Sequence, residues 1–348
     1  MNHRKLLSIL LATATAISMT ACSGNSVSTD SSSDVSAPAG ETSTPEMVSN
    51  PHVSVNGWEF NQVAIGGGGF VSGVFATSKN GLYYARTDVG GAYRYNSDAE
   101  KWESISYGIS EEDQGFLGIA ALAFGEKDPN RLYMIAGTSY FSGGRTAILI
   151  SDDYGTTFRR TELSDYRVDG NGMGRGNGER LAVDPKNSDI VYAGFMSTGG
   201  LLKSTDGFAT YTALDLGTDT ITGNNNGICS IVIDPNSGDE NGCSTIYAAI
   251  SRKGDYNIYK STDAGATWAP VEDAPKDLMV QRMKYNGDGK IIITYADAEG
   301  PWNNNRSSGG IRMLNIADDT FTDITPKEQA YGDVVIDPND RNRKAACT

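Results

Sequence analysis

Any chemistry this chain performs has to be done without histidine. The 348 residues contain two, His3 and His52, one in an apolar leader and the other at the edge of a Ser/Thr-rich stretch. Ser-His-Asp triads and His-ligated metal sites are therefore excluded from the folded part. The cysteines Cys22, Cys229, Cys243 and Cys347 follow no zinc spacing, and a thiol nucleophile would need a histidine partner. Ile65-Gly66-Gly67-Gly68-Gly69-Phe70 lacks the Lys-Ser/Thr of a phosphate loop. Gly174-Arg175-Gly176-Asn177-Gly178 does not sit between a strand and a helix, as a dinucleotide site requires. Both read as tight backbone passages, and neither a metal nor a cofactor is expected. Carboxylates remain: 43 Asp and Glu stand against 29 Lys and Arg, a net charge of -14. Two carboxylates acting as acid and base cleave glycosidic bonds. The negative balance, with no basic cluster, argues against nucleic acid and anionic lipid surfaces and suits a neutral polymer.

Several aspartates have a structural role to fill first. Five times an aromatic residue closes a short polar turn, and the best copies are Ser261-Thr262-Asp263-Ala264-Gly265-Ala266-Thr267-Trp268 and Ser151-Asp152-Asp153-Tyr154-Gly155-Thr156-Thr157-Phe158. This is the Asp-box, SxDxGxT plus an aromatic. The closing residues Trp102, Phe158, Tyr211, Trp268 and Phe321 are 56, 53, 57 and 53 residues apart, a period at which small sheets are arrayed around an axis. The copy Ser204 to Tyr211 has its glycine one place early, and those ending at Trp102 and Phe321 are eroded. Asp153, Asp206 and Asp263 are expected to be committed to turn amides.

A second series runs in step: Asp128-Pro129-Asn130, Asp184-Pro185-Lys186, Asp234-Pro235-Asn236 and Asp337-Pro338-Asn339, with Asn286-Gly287-Asp288 in the remaining unit. Each lies between apolar strands and carries type I turn chemistry. Two hairpins per unit of roughly 50 residues imply four-stranded antiparallel blades. The expected fold is all-β, a β-propeller of about five blades and the start of a sixth.

Residues 1–22 carry a basic start, an apolar run from Leu6 to Ile17 and Met19-Thr20-Ala21-Cys22, which resembles a bacterial lipobox. Cleavage before Cys22 and acylation of its thiol would anchor the protein at the bacterial cell surface, with simple secretion as the alternative. Residues 23–52 are rich in Ser, Thr, Asp, Glu and Pro and read as a disordered tether, leaving 53–348 as one domain. Cys229 and Cys243 flank the Asp234-Pro235 turn, so a disulfide across adjacent strands is a candidate.

Four segments, in order, carry a family resemblance: Trp58-Glu59-Phe60-Asn61-Gln62-Val63, then Ile65-Gly66-Gly67-Gly68-Gly69-Phe70-Val71-Ser72-Gly73, then Leu82-Tyr83-Tyr84-Ala85-Arg86-Thr87-Asp88-Val89-Gly90-Gly91-Ala92-Tyr93-Arg94, then Gly178-Glu179-Arg180-Leu181-Ala182-Val183-Asp184-Pro185. With the Asp-boxes, they closely resemble the N-terminal propeller of glycoside hydrolase family 74, the xyloglucan-cleaving enzymes, from about Gly57 to Asn339. The resemblance implies two tandem seven-bladed propellers, a cleft between them, and inverting cleavage of the β-1,4-glucan backbone with one catalytic Asp from each. Asp88 matches the first-propeller residue, the general base. An inverting pair stands about 6.5 to 9.5 Å apart, with water between. Gly90 and Gly91 are expected to leave room for a sugar ring, and Arg86 to hold Asp88 ionised and touch substrate. For stacking on sugar, Trp302 is the first candidate and Tyr140 with Phe141 the next. Glu179 and Arg180 read as a buried pair.

The resemblance stops before a second propeller. After Asn339 the chain runs Asp340-Arg341-Asn342-Arg343-Lys344-Ala345-Ala346-Cys347-Thr348 with no apolar strand pattern, and the family's general acid has no counterpart in this sequence. The expectation is an incomplete propeller with open sheet edges that alone has little or no activity on xyloglucan or a related β-glucan. A non-catalytic glycan-binding propeller at the cell surface is the alternative, and a protein scaffold is a third reading. Sialidase chemistry fits poorly, because the arginines do not fall where a carboxylate clamp needs them.

Overall fold

The computed structural model describes residues 53–55, 58–60, 68–106, 109–139, 142–298, 307–337 and 340–348. Cys22, Tyr140, Phe141 and Trp302 lie outside these, as do the leader and the Ser/Thr-rich stretch. Contacts divide the chain into residues 1–64 and 65–348. The first unit holds one antiparallel hairpin, β1 (Val53–Val55) and β2 (Trp58–Phe60).

The second unit is a series of antiparallel sheets, each built in strict chain order. Blade 1 comprises β3 (Val71–Ala76), β4 (Tyr83–Thr87), β5 (Ala92–Asn96) and β6 (Lys101–Ser104). Blade 2 comprises β7 (Ile119–Phe124), β8 (Leu132–Gly137), β9 (Thr146–Ser151) and β10 (Arg159–Leu163). Blade 3 has β11 (Leu181–Val183), β12 (Val191–Gly194), β13 (Leu201–Ser204) and β14 (Thr212–Leu214). Blade 4 has β15 (Ile228–Ile233), β16 (Ile246–Ile250), β17 (Ile258–Ser261) and β18 (Ala269–Pro270), and blade 5 has β19 (Met279–Tyr285), β20 (Lys290–Ala296), β21 (Gly309–Asn315) and β22 (Phe321–Asp323). Two more strands, β23 (Asp333–Ile336) and β24 (Lys344–Cys347), pair as a sixth sheet. The all-β propeller is therefore observed, with five four-stranded blades and two strands beyond them.

Both turn series sit where their chemistry demands. The Asp-Pro turns join first to second strands, and the Ser-x-Asp turns join third to fourth strands. In the latter, Asp153 Oδ1 accepts from the Thr157 amide at 2.8 Å and Oδ2 from the Thr157 hydroxyl at 2.7 Å; Asp206 with Thr210 and Asp263 with Thr267 repeat the pattern. These bonds favour the ionised form, and donors from Thr157 and Thr267 hold Asp153 and Asp263 down at about 2.

The apolar core lies between sheets. One cluster joins Ile135 and Ile148 of blade 2 to Val191 and Leu202 of blade 3, and the other clusters bridge consecutive sheets in the same way. Complete burial of all six residues of β8 follows from this two-sided packing. Tyrosines at the second position of second strands tie the blades further. Tyr84 donates to Tyr154 O, Tyr133 to Ser188 O, Tyr192 to Ala264 O and Tyr247 to Asp319 Oδ1, each in the following blade.

All five blades meet at Glu179, which enters blade 3. Its carboxylate accepts from Arg86 of blade 1 (Nη2 at 3.0 Å), from the Leu122 amide of blade 2 (3.1 Å) and from Arg282 of blade 5 (Nη1 at 3.0 Å). Its carbonyl accepts from the Ile231 amide of blade 4 at 2.8 Å. Burial pushes the Arg86 guanidinium below its ordinary value, against the pull of Glu179. Arg282 also feels burial, but with Asp333 as well as Glu179 nearby its net shift is upward.

Three expectations change. Arg180 does not pair with Glu179: its guanidinium donates to the carbonyls of Asn226 and Ile228 and to Asn226 Oδ1, and burial pushes it down to about 10. The tail after Asn339 does form a strand. The turn closes through Asp337 N to Arg343 O, and ladder pairing with β23 makes β24 without an apolar pattern. Finally, Cys229 and Cys243 are free thiols. Register explains why: β15 pairs Ile228 with Ile250 at one end and Ile233 with Ile246 at the other. Cys229 sits near the first end and Cys243 beyond the second, at least about 13 Å apart along the strand, too far for a bridge.

This packing can be tested at Glu179 and at the thiols. Glu179→Gln keeps the shape but removes the counter-charge facing buried Arg86 and leaves buried Arg282 with Asp333 alone, and should cost about 3 kcal/mol, read as a lower urea midpoint at unchanged slope. A shift within error of zero would remove Glu179 from its central role. Burial pushes both the Cys229 and Cys243 thiols up to about 12, so both should resist maleimide in the native protein and react after denaturation without reductant. Exposed Cys347 labels in either state, so failure of Cys229 and Cys243 themselves to label in the denatured, unreduced chain would show a disulfide.

Candidate functional site

Asp88 follows β4 in the connection to β5, at the end of the sheet opposite the Asp-Pro and Ser-x-Asp turns. Its side chain is 7% exposed, and its surroundings come from three separate segments. The first is the glycine-rich run. The Phe70 amide donates to Asp88 Oδ1 at 2.6 Å, while the Asp88 amide donates to Phe70 O at 3.0 Å. Only glycine fits before Phe70: Gly69 has φ +93°, and a Cβ there would stand 2.7 Å from Asp88 Oδ1.

The second segment is Gly174 to Gly178. Arg175 brings Nε to 3.3 Å from Asp88 Oδ2, and both side chains are buried. It is placed by its own backbone, since Arg86 Nη1 donates to Arg175 O at 3.1 Å and Arg86 Nη2 to Asn177 O at 3.2 Å. Arg175 Nη1 closes the loop by donating to Asn171 O at 2.8 Å. The third segment is the turn's own support: Thr87 Oγ1 donates to Gly91 O and accepts from the Gly90 amide, and the Gly91 amide donates to Leu117 O.

Two details of the sequence reading are corrected by this geometry. Arg86 does not hold Asp88 and is not placed to touch substrate: it is fully buried and its charge faces Glu179. Gly90 and Gly91 do not open a space for sugar. A Cβ on Gly90 would lie 1.8 Å from Gly68 O, and one on Gly91 2.4 Å from Ser106 Oγ, so both admit neighbouring chain. The cation beside Asp88 is Arg175, which sequence reasoning passed over. The only signal was its place in a segment read as a tight passage, a reading that fits the two carbonyls taken by Arg86 but gave no hint of the side chain's target. Phe70 was likewise noted only as the end of a glycine run.

Chemically, the arrangement is a desolvated carboxylate with one oxygen fixed by an amide and the other beside a guanidinium. It can orient and deprotonate a water. Among the described residues no group of His, Cys, Asp and Glu has the geometry to hold a metal ion. A cavity of about 500 Å³ lies at the other end of the strands, lined by Ser78, Glu126, Lys127, Lys186 and Glu240 among others, and takes no part in this site.

No family model matches the chain. Among curated proteins, it is 35% identical over 290 residues to an oligoxyloglucan-reducing end-specific xyloglucanase of Emericella nidulans, covering 78% of this chain and 34% of that protein. It is 35% identical over 308 residues to a xyloglucanase of a Paenibacillus species, covering 83% of this chain and 29% of that one. Among solved structures, the GH74 enzyme of Niastella koreensis superposes with a TM-score of 0.76 at 43% identity, over 82% of this chain and 41% of that one. The chain thus spans about a third of the length of the curated relatives it matches. With the propeller and the segment around Asp88 both in place, the chain belongs to glycoside hydrolase family 74.

Proposed function

We propose that this propeller forms the base-bearing side of a xyloglucan-cleaving site, with Asp88 as general base of an inverting hydrolysis. The observation that carries the reading is the buried carboxylate of Asp88, held by the Phe70 amide and by Arg175 at the end of the blades away from the Asp-box turns. Water attacking the anomeric carbon would lose its proton to Asp88 Oδ2, while a carboxylic acid on the other face of the sugar protonates the departing oxygen. By resemblance that acid belongs to a second propeller, outside this sequence. The substrate would be the β-1,4-glucan backbone of xyloglucan, as the names of the relatives suggest. Cys22 would anchor the protein at the bacterial surface, where such a polymer is met.

Purified residues 23–348 should bind xyloglucan oligosaccharides in calorimetry, bind them equally well as Asp88→Asn, and release no reducing ends. Absence of binding would sink the reading. Depolymerisation abolished by Asp88→Ala would support the base but overturn the need for an acid from elsewhere.

A further inference from the structure

Five large hydrophobic side chains are exposed among the described residues: Phe70, Val74, Tyr211, Ile221 and Val335. Two are aromatic, and they lie at opposite ends of the strands. Tyr211 follows the Ser-x-Asp turn of blade 3, whereas Phe70 stands beside Asp88. The Phe70 ring is 39% accessible, so part of it reaches the surface at the Asp88 end of the strands.

The ring is rigidly mounted. Its backbone is pinned on both sides by Asp88, through the amide to Oδ1 and the carbonyl to the Asp88 amide. Arg175 braces it, with Cζ 5.8 Å from the ring centroid, while the same guanidinium reaches Asp88 Oδ2. Ring and carboxylate therefore share one clamp, so whatever lies on the ring is held at a fixed position relative to Asp88. Pyranose rings offer a face of C–H groups that packs on aromatic rings, and ligand sites combine such a face with few convergent polar groups.

We propose that Phe70 is the stacking platform for the sugar unit processed at Asp88, with Arg175 as the positioning residue that locks platform and carboxylate together. This rests on the glycan reading above and adds to it the residue that sets the sugar against the base. Every Phe70 variant keeps the backbone amide that holds Asp88, so the ring is tested separately from the carboxylate.

The test uses the full chain and xyloglucan oligosaccharides. Phe70→Ala and Phe70→Leu should each weaken calorimetric binding about tenfold, whereas Phe70→Trp should bind at least as well as wild type. The indole introduced by Phe70→Trp should also change its fluorescence as saccharide is added, at a half-saturation equal to the calorimetric one. If wild type binds and the Leu variant binds equally, or the Phe70→Trp protein shows no fluorescence change at saturation, Phe70 is not the platform. If wild type does not bind at all, the glycan reading falls and this inference with it. Should Phe70→Ala fail to fold, the Leu and Trp variants decide.

Discussion

The structure depends on one largely enclosed carboxylate, Glu179, set between two buried guanidinium groups, with Asp333 beside the second. Taking Glu179, Arg86 and Arg282 out of water costs several kcal/mol per ion, and this is offset only if every charge is paired and every remaining donor used. The propeller achieves it mostly with main-chain groups, several of them from other blades. Arg86 Nη1 donates to Ser72 Oγ and Ile119 O, Arg282 Nη2 to Ser72 O and Gly176 O, and Glu179 accepts the Leu122 amide. Apolar packing between blades is tolerant of small slips, whereas these bonds are directional and fix each sheet's position about the axis. The site inherits that precision. Arg86 fixes the carbonyls of Arg175 and Asn177, and thereby aims Arg175 at Asp88, so the charge network at the axis and the carboxylate at the loop end are mechanically one unit.

The two ends of the sheets divide the labour. At one end, Asp153, Asp206 and Asp263 are saturated by turn donors and locked in the ionised form. Acid removes the contribution of Asp153 and Asp263 as pH falls from 3.8 toward about 2, the direction set by folded-state values lying below the unfolded ones. At the other end, Asp88 is held by one amide and one guanidinium, a sparser set of partners. An aspartate-rich, net-negative chain thus keeps its structural carboxylates apart from the one proposed to react.

How much of this was legible follows from how local each cause is. The turns were readable because Ser151, Asp153, Gly155 and Thr157 satisfy one another within seven residues, and Asp184 accepts from the Lys186 amide just past its Pro. Asp88 was readable through its motif. Its partner Arg175 was not, because 87 residues separate them and nothing in a Gly-Arg-Gly-Asn-Gly string states where its side chain will go. The Glu179 pairing failed for the same reason: adjacency suggested Arg180, but successive residues of an extended chain point to opposite sides, and the true partners lie in blades 1 and 5. The inter-blade tyrosines were hidden among ordinary strand residues, since Leu-Tyr and Val-Tyr pairs say nothing about a hydroxyl's distant acceptor. The cysteines failed on register, which a turn motif alone does not specify.

Whether glycan meets this propeller at Asp88 decides the functional reading, and a crystal structure of the chain with a xyloglucan oligosaccharide answers it. Saccharide should lie at the Asp88 end of the sheets, with a sugar ring on Phe70 and a water bridging it to Asp88 Oδ2. Saccharide ordered only at the opposite end, in the cavity lined by Glu126, Lys127 and Lys186, would contradict it.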